Sequence, residues 1–133
     1  MPLSADDRAA IAELLALHGH LFDNGELDRL DLVFVPSVSY DVTALGGGVL
    51  HGVDAIRDAA LALGDRNPLG HHVTNVVLAE QPDGSVRARS KGIGVNTDGT
   101  TGTVTYEDTI VCTGEGWRIR ARTVVPRRRP LTR

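Results

Sequence analysis

The sequence predicts an α+β fold in which helices pack on one face of an antiparallel sheet. Three observations carry this expectation. Apolar residues fall at helical spacing in the first half of the chain and at period two from His71 onward. The β-rich runs are joined by short links that contain turn residues, which favours antiparallel neighbours over crossovers. No linker or internal repeat divides the 133 residues, so residues 1–133 read as one domain with a peripheral tail at 126–133.

The elements follow in order. Ser4 is an N-cap, and Asp7 three residues on makes a short capping box, with Asp6 also at the positive end of the helix dipole. Ile11, Leu14, Leu15, His18 and Phe22 then form one apolar stripe, and Asn24-Gly25 stops the helix. A second short helix is expected over Glu26–Phe34, ended by Pro36. Val38–Val42 reads as a short strand and Gly46-Gly47-Gly48 as a turn. A third helix is expected over Val53–Leu63, with Ile56, Ala59, Ala60 and Leu63 on one side, broken by Gly64 to Pro68. Four β-rich runs complete the chain: His71–Glu80, Val86–Val95, Thr103–Cys112 and Trp117–Val125. Their links carry Pro82-Asp83-Gly84, Asp98-Gly99 and Gly114-Glu115-Gly116. A sheet of this kind that curls around its helices leaves a cone with one open end.

Composition excludes several function classes. Fourteen basic and 17 acidic residues give a net charge of −3, so there is no global field for nucleic acid or an acidic membrane. Arg127-Arg128-Arg129 is the local exception. The single cysteine, Cys112, excludes an intrachain disulfide and a zinc site built from several thiolates. Within a strand its thiol is expected to be buried and inert. No apolar run approaches the ~20 residues that span a bilayer. Met1 to Asp7 has neither the basic start nor the apolar stretch of a signal peptide. The reading is a cytoplasmic protein with no nucleic-acid or membrane partner.

The candidate chemistry centres on histidine and aspartate. His71 and His72 are adjacent in a strand and so point to opposite faces. His72 shares its face with Thr74, Val76 and Leu78, and His71 with Val73, Asn75 and Val77. Both faces are partly apolar, and alternation leaves the choice open. His18 lies on the apolar stripe of the first helix. His18 and His20 do not share a helix face, and no His-x-x-x-His spacing occurs, which argues against a metal site. Gly-x-Ser-x-Gly is absent. Gly92-Ile93-Gly94 lies inside a strand with no helix following, so it is no dinucleotide fingerprint. Asp23 stands at the end of the first helix. Arg118, Arg120 and Arg122 alternate along the last run, either as a solvent-facing stripe paired with Glu107 or another acidic residue across the sheet, or with one arginine at the open end placed to anchor a substrate carbonyl, carboxylate or leaving group.

The order of these features resembles the SnoaL-like group of the nuclear-transport-factor-2-like superfamily. The resemblance is carried by Phe22-Asp23, Gly25-Glu26-Leu27-Asp28-Arg29-Leu30, Phe34-x-Pro36 with Asp41, His51-Gly52, His71-His72-Val73-Thr74-Asn75 and Gly116-Trp117-Arg118-Ile119. It implies helices packed in the concave face of a curved antiparallel sheet, and a homodimer or higher homo-oligomer. The chain is similar to scytalone dehydratase, a bile-acid dehydratase and hexachlorocyclohexane dehydrochlorinase, which use an Asp–His pair. Position by position, the resemblance assigns Asp23 and His72 to that pair. It puts His18 where some relatives carry a catalytic tyrosine or lysine, and Arg122 near an anion-binding arginine. Tyr40 and Tyr106 are further candidates to hold the substrate. The implied activity is a cofactor-independent lyase, of the dehydratase or dehydrohalogenase type, or a related cyclase or isomerase. Its substrate is a small, largely apolar molecule, cyclic or polyketide-like. The alternative is a non-catalytic ligand-binding or dimerisation module on the same fold.

Overall fold

In this computed structural model residues 2–131 are described; Met1 and residues 132–133 of the expected tail lie outside them. The first helix, α1 (Ala5–Asp23), begins with the reciprocal cap that the sequence predicts. The Ser4 hydroxyl accepts from the Asp7 amide at 3.0 Å, and the Asp7 carboxylate accepts from the Ser4 amide at 3.2 Å. Trp117 Nε1 donates to the same carboxylate and ties the helix start to the last strand. The Ser4 bonds, with help from Trp117, hold the Asp7 carboxyl below its ordinary range. Ile11, Leu14, Leu15, His18 and Leu21 make the buried stripe.

The segment after α1 differs from expectation. Leu27–Leu32 is a 3-10 stretch kinked at Arg29, and it buries Leu30. Strand β1 already starts at Phe34 and runs Phe34–Asp41. Pro36 does not end an element; it falls where β1 slips register between Phe34 and Ser39, so no ladder bond needs its missing donor. A short strand, β2 (Val49–His51), pairs back on β1 and completes a hairpin whose turn holds the triple glycine. Helix α2 (Val53–Leu63) follows as expected. Then come β3 (Gly70–Glu80), β4 (Val86–Val95), β5 (Thr101–Thr113) and β6 (Gly116–Arg127). The last strand thus takes in the first residues of the expected tail.

The six strands form one sheet in the order β2-β1-β6-β5-β4-β3. All neighbours are antiparallel except β1 and β6, which run parallel. The sheet curves around the helices, an α+β cone. Ile11, Leu15 and Leu21 from α1 pack with Ile56 from α2 and with Val38, Val86, Ile110 and Ile119 from the sheet.

Two irregularities decide which side chains face the helices. In β3 the register slips between Thr74 and Val77, with Asn75 at φ 57 in the left-handed region. Before the slip Val73, and after it Leu78, pack against the core, while His72, Thr74 and Val77 are exposed. Between β5 and β6 the register slips between Thr109 and Ile110. As a result Ile119, Arg122 and Val124 are buried while Arg120 is exposed, so the three arginines make no common stripe. Cys112 is exposed, contrary to the expectation of a buried thiol.

Candidate functional site

Between α2, the end of α1 and the inner face of the sheet lies a cavity of about 570 Å³. That is within the roughly 300–1,000 Å³ typical of small-molecule sites. Phe22, Tyr40, Leu50, Ile56, Val104 and Tyr106 supply much of its wall, and His18, His71, Arg66, Asn67 and Asn96 add polar groups. Small residues keep it open. Ala59 and Ala60 line it from α2, and Gly92, Gly94 and Gly102 from the sheet. A Cβ at Gly92 would lie 2.4 Å from the Tyr106 ring, so the bare backbone there makes room for that ring. This is the structural meaning of Gly92-Ile93-Gly94.

The end of α1 meets the start of β3 at this cavity. Gly19 allows the approach: a Cβ there would sit 2.6 Å from the His71 carbonyl oxygen. Asp23, four residues on, accepts from the His71 backbone amide at 3.1 Å and 3.0 Å through its two oxygens. Its Oδ1 is also 2.6 Å from His71 Nδ1. A carboxylate acceptor fixes the proton on Nδ1 and leaves Nε2 with a free lone pair. His71 lines the cavity, and its Nε2 has no hydrogen-bond partner among the described residues. The two side chains are only 19% and 23% exposed.

The partner of Asp23 is therefore His71 and not His72. His72 is exposed and lies opposite Ile93 in the ladder, whereas His71 lies opposite Gly94. The slip in β3 explains the difference. It inverts the alternation, so Leu78 and His72, which the sequence puts on one face, fall on opposite faces.

His18 is fully buried beside the cavity. Its Nε2 is 3.4 Å from the Tyr40 hydroxyl, and its Nδ1 has no partner among the described residues. Burial, reinforced by the charge of Arg122 and by His71, holds its pKa well below the usual 6.5, so the ring is neutral. Burial pushes the Tyr40 phenol up to about 12 against the opposing pull of Arg122. Burial raises Tyr106 as well. Both hydroxyls remain protonated donors at neutral pH.

Arg122 is not among the cavity-lining residues, which corrects the expectation that it touches substrate. It is buried and bonds Asp108 through two nitrogens, at 2.7 Å and 2.9 Å. Burial alone would pull its pKa down, but the charge and bonds of Asp108 outweigh burial and keep it cationic. Its guanidinium carbon lies 4.1 Å from the centre of the Tyr106 ring. From that place it acts on the phenols from behind. Asp108 and Gly19 are contributors that residue patterns alone do not single out. Among the described residues no group of three or more His, Cys, Asp or Glu is placed to hold a metal, and no helix is long and apolar enough to cross a membrane.

A curved sheet closed over helices is the architecture of the cystatin-like cone. The chain matches the SnoaL-like domain over residues 4–123 and belongs to that family. No curated protein matches it. Among solved structures it is similar to a cystatin-like protein from Nostoc punctiforme, at 21% identity over 99% of this chain and 100% of that one, with a TM-score of 0.80. Aln2 from a Streptomyces species is 21% identical over 95% of this chain and 94% of that one, with a TM-score of 0.77. A candidate scytalone dehydratase from Novosphingobium aromaticivorans is 19% identical over 94% of this chain and 89% of that one, with a TM-score of 0.72. At these identities the likeness establishes the fold.

Proposed function

We propose that the chain is a cofactor-independent lyase of the dehydratase or dehydrohalogenase type, or a related cyclase, with His71 as general base and Asp23 as its orienting partner. One observation carries the reading: the 2.6 Å contact between His71 Nδ1 and Asp23 Oδ1, made by a histidine that also lines the cavity. In this reading Nε2 takes a proton from a carbon next to an activating group. The C–H electron pair becomes the new double bond as the C–O or C–halogen bond breaks. The Tyr40 hydroxyl protonates a leaving oxygen or bonds a leaving halide, with Tyr106 as a second donor. His18, 3.4 Å from the Tyr40 hydroxyl, positions it. Arg122 stabilises negative charge that develops on the phenol side of the cavity. Ring closure uses the same proton abstraction, and product structure separates the two outcomes.

The test is turnover of hydroxylated and halogenated cyclic compounds by the purified chain. His71→Asn is expected to lose about 10²–10⁴-fold, the usual worth of a positioned base, and His72→Ala to lose almost nothing. Unchanged turnover in His71→Asn overturns the reading. Tight binding with no turnover in any case favours a ligand-binding module on the same fold. The reading also includes self-association through the convex sheet face, where Val77 and Ile93 are 56% and 40% exposed. Sedimentation that finds only monomers at high concentration sinks that part.

A further inference from the structure

Among the described residues the cavity lining holds no aspartate or glutamate and one permanent cation, Arg66. The other basic groups are His71, whose Nδ1 is already taken up by the Asp23 carboxylate, and His18, held neutral by burial. Arg66 closes the 3-10 turn Gly64–Arg66 after α2 and is exposed. It has no ion-pair partner among the described residues. The turn that presents it is fixed: Asn67 Nδ2 donates to the carbonyls of Ala60 and Gly64, at 2.8 Å and 2.9 Å. An unneutralised guanidinium thus stands on a pinned turn at the rim of a mostly apolar space. A charged group carried deep into such a space would lose its hydration for little return. At the rim it keeps water on one side and gains a fork of donors that suits a carboxylate.

We infer that the substrate is an organic carboxylate, with its apolar, ring-sized body inside the cavity toward His71 and its acid group on Arg66. The inference deepens the function proposed above and rests on the same cavity. It also separates two roles. The acid group anchors the molecule, and the group that activates the C–H bond lies elsewhere in it, near Tyr40 and Tyr106.

The test is binding to the full chain of 2-naphthoate and of 2-naphthamide, a neutral compound of nearly the same shape, by calorimetry at low and high salt. The unmodified chain is expected to prefer the carboxylate by about three- to tenfold at low salt, the worth of a partly exposed ion pair. That preference should shrink as salt screens it. Arg66→Gln is expected to abolish it, and Arg66→Glu to reverse it, with amide binding unchanged in both. Equal binding of the two compounds by the unmodified chain overturns the inference. So does a preference that survives in Arg66→Gln, and so does failure of both compounds to bind at millimolar concentration. The readout needs no turnover. A chain that holds the carboxylate through Arg66 but turns over none of the hydroxylated and halogenated compounds therefore favours the binding module over the lyase and leaves this inference standing.

Discussion

Asp23 grips His71 at three points, the backbone amide through both oxygens and the ring at Nδ1. The charge of that carboxylate sets the tautomer. Asp23→Asn is nearly isosteric but can turn its amide NH₂ toward Nδ1, which moves the ring proton to Nε2 and removes the base. We expect it to cost about 10²–10⁴-fold in turnover, close to His71→Asn. Nitrogen chemical shifts of the His71 ring should report the changed tautomer; a variant with normal shifts and normal turnover would exclude the orienting role. A second residue-scale expectation concerns His18. Its folded pKa lies well below 6.5 because it is buried, with Arg122 and His71 adding to the effect. Between the two values the unfolded chain binds the extra proton and the folded chain does not, so stability must fall as pH drops below about 6.5. Denaturant midpoints should decline from pH 7 to pH 5, and less steeply in His18→Gln. Equal slopes would show that His18 is not held neutral. His18 and Asp23 were legible in the sequence as residues, one from its helical stripe and one from its place before the stop signal. The choice of His71 over His72 was not, because it depends on a one-residue slip further along the same strand.

At the scale of elements, the site depends on how closely α1 approaches β3. Gly19 sets that distance, since a Cβ there would meet the His71 carbonyl oxygen, which is backbone and cannot swing aside. Gly19→Ala is expected to destabilise the fold by about 1–3 kcal/mol, the range for overpacking. It should also reduce turnover, because any shift that relieves the clash pulls the His71 backbone from Asp23. Denaturation and turnover measured together check this; a variant with unchanged turnover would show that the helix–strand distance is not limiting. The helices and the four long strands follow from caps, periodicity and turn residues, which are local. The errors lie where partners far along the chain decide. Phe34 starts a strand and does not end a helix because its ladder partner is Ile119. Val49–His51 is a strand only because β1 offers an edge. Asn75 forms the slip in β3, and asparagine tolerates its left-handed backbone well enough to leave no strong mark in the sequence.

For the whole molecule, the cavity is a place where two layers do not close. Elsewhere α1 and α2 bury large apolar side chains against the sheet, but here alanines of α2 face glycines of β4 and β5. Gly102 shows that this is not forced by the backbone. It is not in the left-handed region, and a Cβ built on it has nothing within 4 Å. It lines the cavity opposite Gly94 in the ladder. Gly102→Val therefore adds a β-branched residue to a strand without a clash. It should leave stability unchanged or raise it by up to about 1 kcal/mol, through strand propensity and a less flexible unfolded chain. If the open space exists for a ligand, the same change must cost function, because the new side chain occupies the wall that a ring would lie on. We expect weaker binding of 2-naphthoate with the denaturation midpoint held or raised, unlike Gly19→Ala, where stability and turnover fall together. A Gly102→Val chain that keeps its affinity would place the ligand away from this wall. One that unfolds more readily would mean that the glycine serves the sheet and not the cavity.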